Sequence, residues 1–310
     1  MIKSAQDRGS QGMMLKNSSR RLLAAAGIAS CMWGAPAAQA ADPEWLDIPQ
    51  TELVYLQLEQ GTLVIKLADQ FAPRHTERFR QLVRSGFYQG LTFYRVIDQF
   101  VLQAGLPEGE SHPGTSKTAW PGVMAEFSWP VRPQDPYTLV QKPDMLAAET
   151  GFNQGFAVGR EHGQEWLLNC PLTINMARGN DANSGTTDFA LMRGQAPRHL
   201  DRNMSVFAKV VWGAELLNSV RYGPPETGGV IQDVTARSKI IQATLGTDLP
   251  ENQRLALQWQ NSRSPAFQQA LLQRRQRSND FFKYKGNGAL DICYSQLPVR
   301  LKPSSVAQNN

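Results

Sequence analysis

An arginine stands in the middle of a run that otherwise reads as a buried strand. From Leu91 to Leu102 the chain is aromatic and β-branched, free of proline, and closed on either side by Gly90 and Gly105. Strict alternation predicts that Phe93, Arg95 and Ile97 share one face. A guanidinium among apolar neighbours needs a polar partner or a pocket that uses it. From this run alone, a structurally paired arginine and a functional one both fit.

Around that run the pattern is mostly strand. Leu53–Leu58 and Leu63–Leu67 are short β-rich runs separated by a turn at Gly61, and they predict a hairpin. Ala72-Pro73 opens a helical pattern with Phe79, Leu82 and Val83 on one side, and Gly86 stops it. Further strands are expected at Leu172–Ala177, Asp188–Met192, Ser205–Val211 and Ser238–Leu245, with a short helix at Ala214–Val220. Residues 106–171 are rich in Pro, Gly and polar side chains and are expected to form long loops with a few short strands. Beyond Pro250, Gln253–Phe281 is helix-prone and Ala289–Leu301 is a final apolar run. Many strands with two isolated helices suggest a closed antiparallel barrel, which leaves no free edge.

Charge narrows the partners. The chain carries +5 overall, but residues 1–40 hold five cations against Asp7, a net of +4, which leaves +1 for the other 270 residues. A nearly neutral body offers no general footprint for nucleic acid. The first 40 residues read as a secretory signal: Lys16, Arg20 and Arg21, then apolar Leu22–Ser30, then Ala38-Gln39-Ala40 as a small-x-small cleavage site. Arg20-Arg21 also fits a twin-arginine signal, and Ile28–Cys31 a lipoprotein box with lipid on Cys31. Cleavage after Ala40 predicts a periplasmic protein without stable membrane insertion. It would leave Cys170 and Cys293, which in an oxidising compartment pair as a disulfide or stay as two free thiols. The histidines, His75, His112, His162 and His199, are scattered without ligand spacing, so no metal is expected.

Several spaced blocks share one resemblance. Gly86-Phe87-Tyr88, the Arg95 strand and Phe100-Val101-Leu102-Gln103-Ala104-Gly105 resemble the signature of cyclophilin-type peptidyl-prolyl isomerases. Phe71-Ala72-Pro73 with Phe79 and Leu82 resembles that family's first helix. Met176-Ala177-Arg178, Phe189, Leu200-Asp201 and Val206–Val210 are similar to its later blocks, in the family's order. The resemblance implies a mainly β, eight-stranded antiparallel barrel with two capping helices, no cofactor, and isomerisation of X-Pro bonds. It implies that Arg95 is the catalytic arginine, and that Phe100, Val101 and Leu200 line the proline pocket. Gln103 is then a polar pocket group, Ala177 and Arg178 mark the strand along which substrate lies, and Phe189, Ala190, His199 and Met204 complete the site. Ordinary barrel core is the competing reading for the apolar members of this set.

The departures are specific. Tyr94 stands where the family has His, Asp188 where it has Gln, and Ala190 where it packs an aromatic on the proline ring. His199 replaces a pocket aromatic and Met204 a His. The expected organisation is a signal at 1–40, a linker at 41–50, a barrel at 51–245 with an insert at 106–171, and a helical extension at 246–310. Two functions lead, ahead of an unrelated exported β-barrel that binds a small ligand. One is an isomerase, expected as a monomer, acting on proline-containing unfolded or exported polypeptides. The other is a non-catalytic cyclophilin-like module that binds peptides or serves as a chaperone.

Overall fold

The structure, a computed structural model, describes residues 43–194 and 197–303. The signal-like segment, Cys31 and the expected cleavage after Ala40 lie outside the described residues. Eight antiparallel strands form the main sheet. In spatial order they are Ile240–Leu245, Leu53–Leu58, Gly61–Leu67, Val206–Trp212, Thr173–Met176, Phe189–Met192, Val101–Gly105 and Thr92–Ile97. The sheet curls until its edges meet at an isolated bridge between Thr92 and Lys239, where Ile240 N donates to Leu91 O (2.8 Å). The run expected as one strand from Leu91 to Leu102 is instead a hairpin turning at Asp98–Phe100, with Gln99 at a positive φ of 53°.

One helix, Pro73–Arg84, plugs the curled sheet. Proline suits its first turn, where the missing N–H would have no partner. His75, Thr76, Phe79, Leu82 and Val83 are buried along one stripe. Gly86, at φ 72°, ends the helix while Phe87 N donates back to Leu82 O (3.0 Å). Phe79 is fully buried against Tyr88, Phe189 and Phe207, with ring centroids 5.1–5.8 Å apart. Truncating such a side chain to alanine costs about 3–5 kcal/mol. The second expected helix is only a 3-10 segment, Ala214–Ser219, too short to close an α-helical ladder and entered through left-handed Gly213.

Three sequence expectations give way outside the barrel. The region 106–171 contains a five-stranded antiparallel sheet, ordered Trp129–Pro130, Gln164–Leu167, Phe156–Glu161, Glu149–Asn153 and Tyr137–Gln141. The expected linker holds a strand, Trp45–Asp47, which pairs with Leu257–Gln260 more than 200 residues later. The extension is not mainly helical. Leu257–Gln260 and Val299–Leu301 are strands, and the helix Pro265–Gln276 starts only where Ser264 accepts from Phe267 N and Pro265 opens the first turn.

These additions cover the barrel's outer face. Val54, Leu56 and Leu58 point into the barrel core. Their neighbours Leu53, Tyr55 and Val64 face Phe152, Trp166, Phe267 and Ile292 from the insert and tail. The strand is therefore apolar on both sides, which explains its nearly unbroken hydrophobic run. Cys170 and Cys293 are disulfide-bonded with Cα atoms 5.1 Å apart, 123 residues apart in sequence. Closing a loop of that length contributes roughly 5 kcal/mol in the chain-entropy account.

Insert, barrel and tail converge at Gly155. Gln154 and Gly155 make the tight turn between two insert strands, both at positive φ (47° and 81°). Trp259 of the tail lies where any Cβ on Gly155 would be. Barrel Lys209 donates from Nζ to Gly155 O (2.6 Å). Lys66 lies nearby, paired with Glu52 at 2.8 Å and set over the rings of Phe156 and Trp259. Burial, and secondarily the charge of Lys66, lower the Lys209 pKa to about 7. The folded chain thus sheds a proton that the unfolded chain keeps until about pH 10. Unfolding free energy from this group must rise with pH across that window. Denaturant titrations at pH 7 and 9.5 are expected to show that rise in the wild type and a smaller one in Lys209→Met; equal slopes would mean that Lys209 stays charged.

Candidate active site

Tyr94 is a bulge. Opposite Val101–Gly105 the register runs Phe93↔Ala104 and then Arg95↔Gln103, so Tyr94 has no partner of its own. Simple alternation fails here, which corrects the expected face. Phe93 and Val96 enter the barrel core, whereas Arg95 and Ile97 stand on the opposite side. Cross-strand pairing then builds two rows on that side. Arg95, Gln103 and Ala190 lie in one; Ile97, Val101 and Met192 lie in the next.

The second row grades into an apolar cluster of Val101, Ala190 and Met192, flanked by Ile97, Phe100 and Leu200. Phe100, Val101, Ala190 and Leu200 were expected there. Ile97 and Met192 were not, although both lie two residues from members already named, and period-two spacing was the signal that could have found them.

The first row carries the polar chemistry. Arg95 Nε donates to Gly228 O (3.0 Å) and Nη1 to Gln103 Oε1 (3.3 Å). Its Nη2 has no protein partner among the described residues. Gln103 Nε2 donates to the Tyr94 hydroxyl, which donates in turn to Asp188 Oδ2 (2.9 Å). Asp188 also accepts from Lys117 Nζ (2.8 Å), Thr187 Oγ1 (2.9 Å) and Leu106 N (3.2 Å). Burial, followed by the neighbouring Asp188 charge, raises the Tyr94 pKa far above its ordinary value, so the hydroxyl keeps its proton. Gly105 is required beside this chain, because a Cβ there would lie 2.4 Å from Asp188 Oδ1.

The chain has a direction. A carboxylate only accepts, so the Tyr94 proton points at Asp188 and its oxygen is left to accept from Gln103. That fixes the Gln103 amide with Oε1 toward Arg95. The two departures at Tyr94 and Asp188 therefore compensate each other; the sequence showed both, but not that they touch.

The other expected members have surroundings of their own. Phe189 is fully buried, with its ring against Phe79, Tyr88 and Phe93, because its neighbour Ala190 takes the pocket side of the strand. Arg178 is engaged by loop carbonyls: Nε and Nη2 donate to Asn203 O and Nη1 to Gly179 O, with the guanidinium over Phe127. Ala177 is half-buried, and its N–H donates to Asp188 O (2.8 Å). Met204 is half-buried at the approach to the Val206–Trp212 strand. His199 is exposed and lines a cavity between insert and tail, not the apolar cluster.

A family model described as "Cyclophilin type peptidyl-prolyl cis-trans isomerase/CLD" matches residues 53–244. The chain belongs to this family. Among cyclophilin relatives, a "Probable peptidyl-prolyl cis-trans isomerase" from Brucella suis is 28% identical over 235 residues, covering 73% of this chain and 95% of that one. "Peptidyl-prolyl cis-trans isomerase A" from Dickeya dadantii is 29% identical over 198 residues, covering 61% and 82%. The crystal structure of a cyclophilin from Hirschia baltica superposes with a TM-score of 0.65 at 24% identity, covering 84% of this chain and 94% of that one, which supports the fold.

Removing the Tyr94 hydroxyl isolates the directional chain, because Asp188 keeps Lys117, Thr187 and Leu106 N. Tyr94→Phe is expected to lower kcat for a short proline peptide about tenfold, with KM and thermal stability little changed, the effect of one lost positioning hydrogen bond. Tyr94→His, which can both accept and donate, is expected to recover part of the loss. An unchanged kcat in Tyr94→Phe would show that Gln103 orients Arg95 unaided.

Proposed function

We propose that this cyclophilin isomerises X-Pro bonds in exported, unfolded polypeptides, with Arg95 as the group that acts on the twisted amide. The observation that carries the reading is the position of Arg95. Its guanidinium is held on one side by Gln103 and Gly228 O, keeps Nη2 available, and stands in the row beside an apolar cluster.

X-Pro rotation is slow because the amide's partial double bond raises a barrier of roughly 18–20 kcal/mol. Twisting the amide breaks conjugation and leaves a lone pair on the prolyl nitrogen. A fixed donor aimed at that nitrogen favours the twisted form over the planar one. Val101, Met192, Phe100 and Leu200 supply an apolar surface for the proline ring, while Ala190 leaves room where an aromatic is usual in the family. No bond to substrate forms, and no cofactor enters the cycle.

Two features support export. Residues 1–40 have the three parts of a secretory signal. The disulfide joins the two cysteines that remain after cleavage at Ala40. Proline isomerisation can limit refolding of such clients for tens of seconds. Protein recovered from the periplasm is expected to begin at Ala41; retained Met1 or lipid on Cys31 would overturn the soluble periplasmic assignment.

Arg95→Ala is expected to reduce kcat/KM on a proline tetrapeptide roughly a hundredfold, the equivalent of about 3 kcal/mol of transition-state stabilisation. A circular dichroism spectrum and melting curve close to wild type should accompany the loss. Equal turnover by both proteins would place the chemistry elsewhere. No turnover by wild type would favour the non-catalytic binding module, a reading to which the small Ala190 lends weight.

A further inference from the structure

We propose that the insert and the C-terminal extension form a second peptide-binding groove, which starts at the rim of the proline pocket and takes apolar residues flanking the proline of the same unfolded polypeptide. The inference deepens the isomerase reading and rests on it for the identity of the occupant.

The turn Arg198–Leu200 belongs to both sites. Leu200 packs with the apolar pocket cluster, whereas His199 lines a cavity of about 440 Å³ on the other side. The apolar cluster and the cavity therefore flank one turn. Pro143–Leu146 of the insert tip and Ala289–Asp291 with Tyr294 of the tail line the rest. Leu290 and Tyr294 also line a neighbouring cavity of about 590 Å³, which Phe282 extends. An extended client advances about 3.3 Å per residue, so a segment that runs round this turn would reach both.

The insert tip and the extension present apolar side chains to water. Among the described residues, four large apolar side chains are more than 80% exposed: Met145, Phe281, Tyr284 and Tyr294. All four lie in the insert tip or the extension. Met145 and Tyr294 line the same cavity from opposite sides, one from the insert and one from the tail, and exposed apolar side chains so placed mark an interaction surface, where methionine and aromatic side chains adapt to varied apolar sequences.

Beneath these side chains the walls are braced. Arg198 is a buried link, pairing with Asp144 of the insert tip at 2.9 Å and with Asp201 on its own turn. Asp201 accepts from Asn169 N (2.8 Å), and Asn169 Oδ1 accepts from Asn175 Nδ2 (3.0 Å), opposite Ala190 of the pocket. On the tail side, Arg275 donates to Val140 O and to Gly288 O (3.1 Å), and the disulfide holds Cys293 beside Tyr294. A loose loop would fold Met145 and Tyr294 inward; these walls keep them presented.

The test separates groove from pocket. In Met145→Ser/Tyr294→Ser, kcat/KM for a proline tetrapeptide, too short to leave the pocket, should stay within about twofold of wild type. A permanently unfolded polypeptide (reduced and carboxymethylated, proline-containing) should inhibit that turnover at least about fivefold more weakly than in wild type, the effect of losing two apolar contacts. Equal inhibition of both proteins overturns the proposal. Sedimentation velocity adds a second arm: a wild-type dimer that the double variant loses would assign the groove to a second copy of this chain, again overturning it. Fluorescence binding of the labelled unfolded chain covers failure of the isomerase reading. If wild type turns over no peptide but binds that chain through Met145 and Tyr294, the catalytic reading falls and the groove stands.

Discussion

The role proposed for Arg95 needs a guanidinium that is fixed without being neutralised, and the polar network around it is built to do that. A carboxylate in direct contact would fix it and also absorb the charge that the twisted amide requires. Here the direct partners are neutral: the Gly228 carbonyl and the Gln103 amide. The carboxylate stands two hydrogen bonds away, at Asp188, and Lys117 compensates its charge. Asp188 thus orients the chain through the Tyr94 proton while leaving Arg95 its field. The bulge makes this possible, because a regular strand would turn Tyr94 and Arg95 to opposite faces.

The barrel is also buried where a small cyclophilin barrel would meet water. Covering the Leu53–Leu67 hairpin from outside required apolar residues on both of its faces, and it enclosed two lysines. Neither is simply buried as a bare charge. Lys66 has Glu52 and two aromatic faces, and Lys209 has the Gly155 carbonyl together with a depressed pKa. Burying a lysine is costly unless it is paired or sheds its proton, and each side chain uses one of those routes. Both are sited where insert, tail and barrel meet, so the polar contacts fix how the three layers register as well as satisfying the charges.

What the sequence disclosed follows the range of the interaction concerned. The Leu53–Leu67 hairpin and the Phe79 helix were legible because their signals are local: alternation, a proline start, a glycine stop. The blocks around Arg95, Val101 and Leu200 were legible as family blocks because they keep a family order, and the family model spans them. The bulge was not, since nothing in Phe93-Tyr94-Arg95 marks which residue loses its partner until Ala104 and Gln103 are opposite. The Trp45–Asp47 strand was read as linker because its partner lies beyond residue 256. The insert sheet was hidden by short strands with Pro and Gly between them, and by polar residues that prove buried. Glu165 is one: it is fully buried, accepting from Asn153, Trp129 and Arg160. Phe189 and Arg178 were misplaced for opposite reasons, one drawn into the aromatic core and the other held by loop carbonyls.

The departures from the family pattern are better understood as coupled than as losses. Tyr94 for His adds bulk and a hydroxyl that needs an acceptor, and Asp188 for Gln supplies that acceptor while Lys117, Thr187 and Leu106 N hold its carboxylate. Together they make a hydrogen bond that neither original side chain is needed for. A similar coupling operates at the turn Arg198–Leu200. His199 turns away from the apolar cluster, and the insert tip comes up against its turn, tied by Arg198 to Asp144. Both pairs of Arg198 are buried, so removing Arg198 would strand the carboxylates of Asp144 and Asp201 and cost about 3–5 kcal/mol, whereas removing Asp144 leaves Arg198 paired with Asp201. The turn Arg198–Leu200 and the tip of the insert are therefore tied together, and a change in either must be matched in the other.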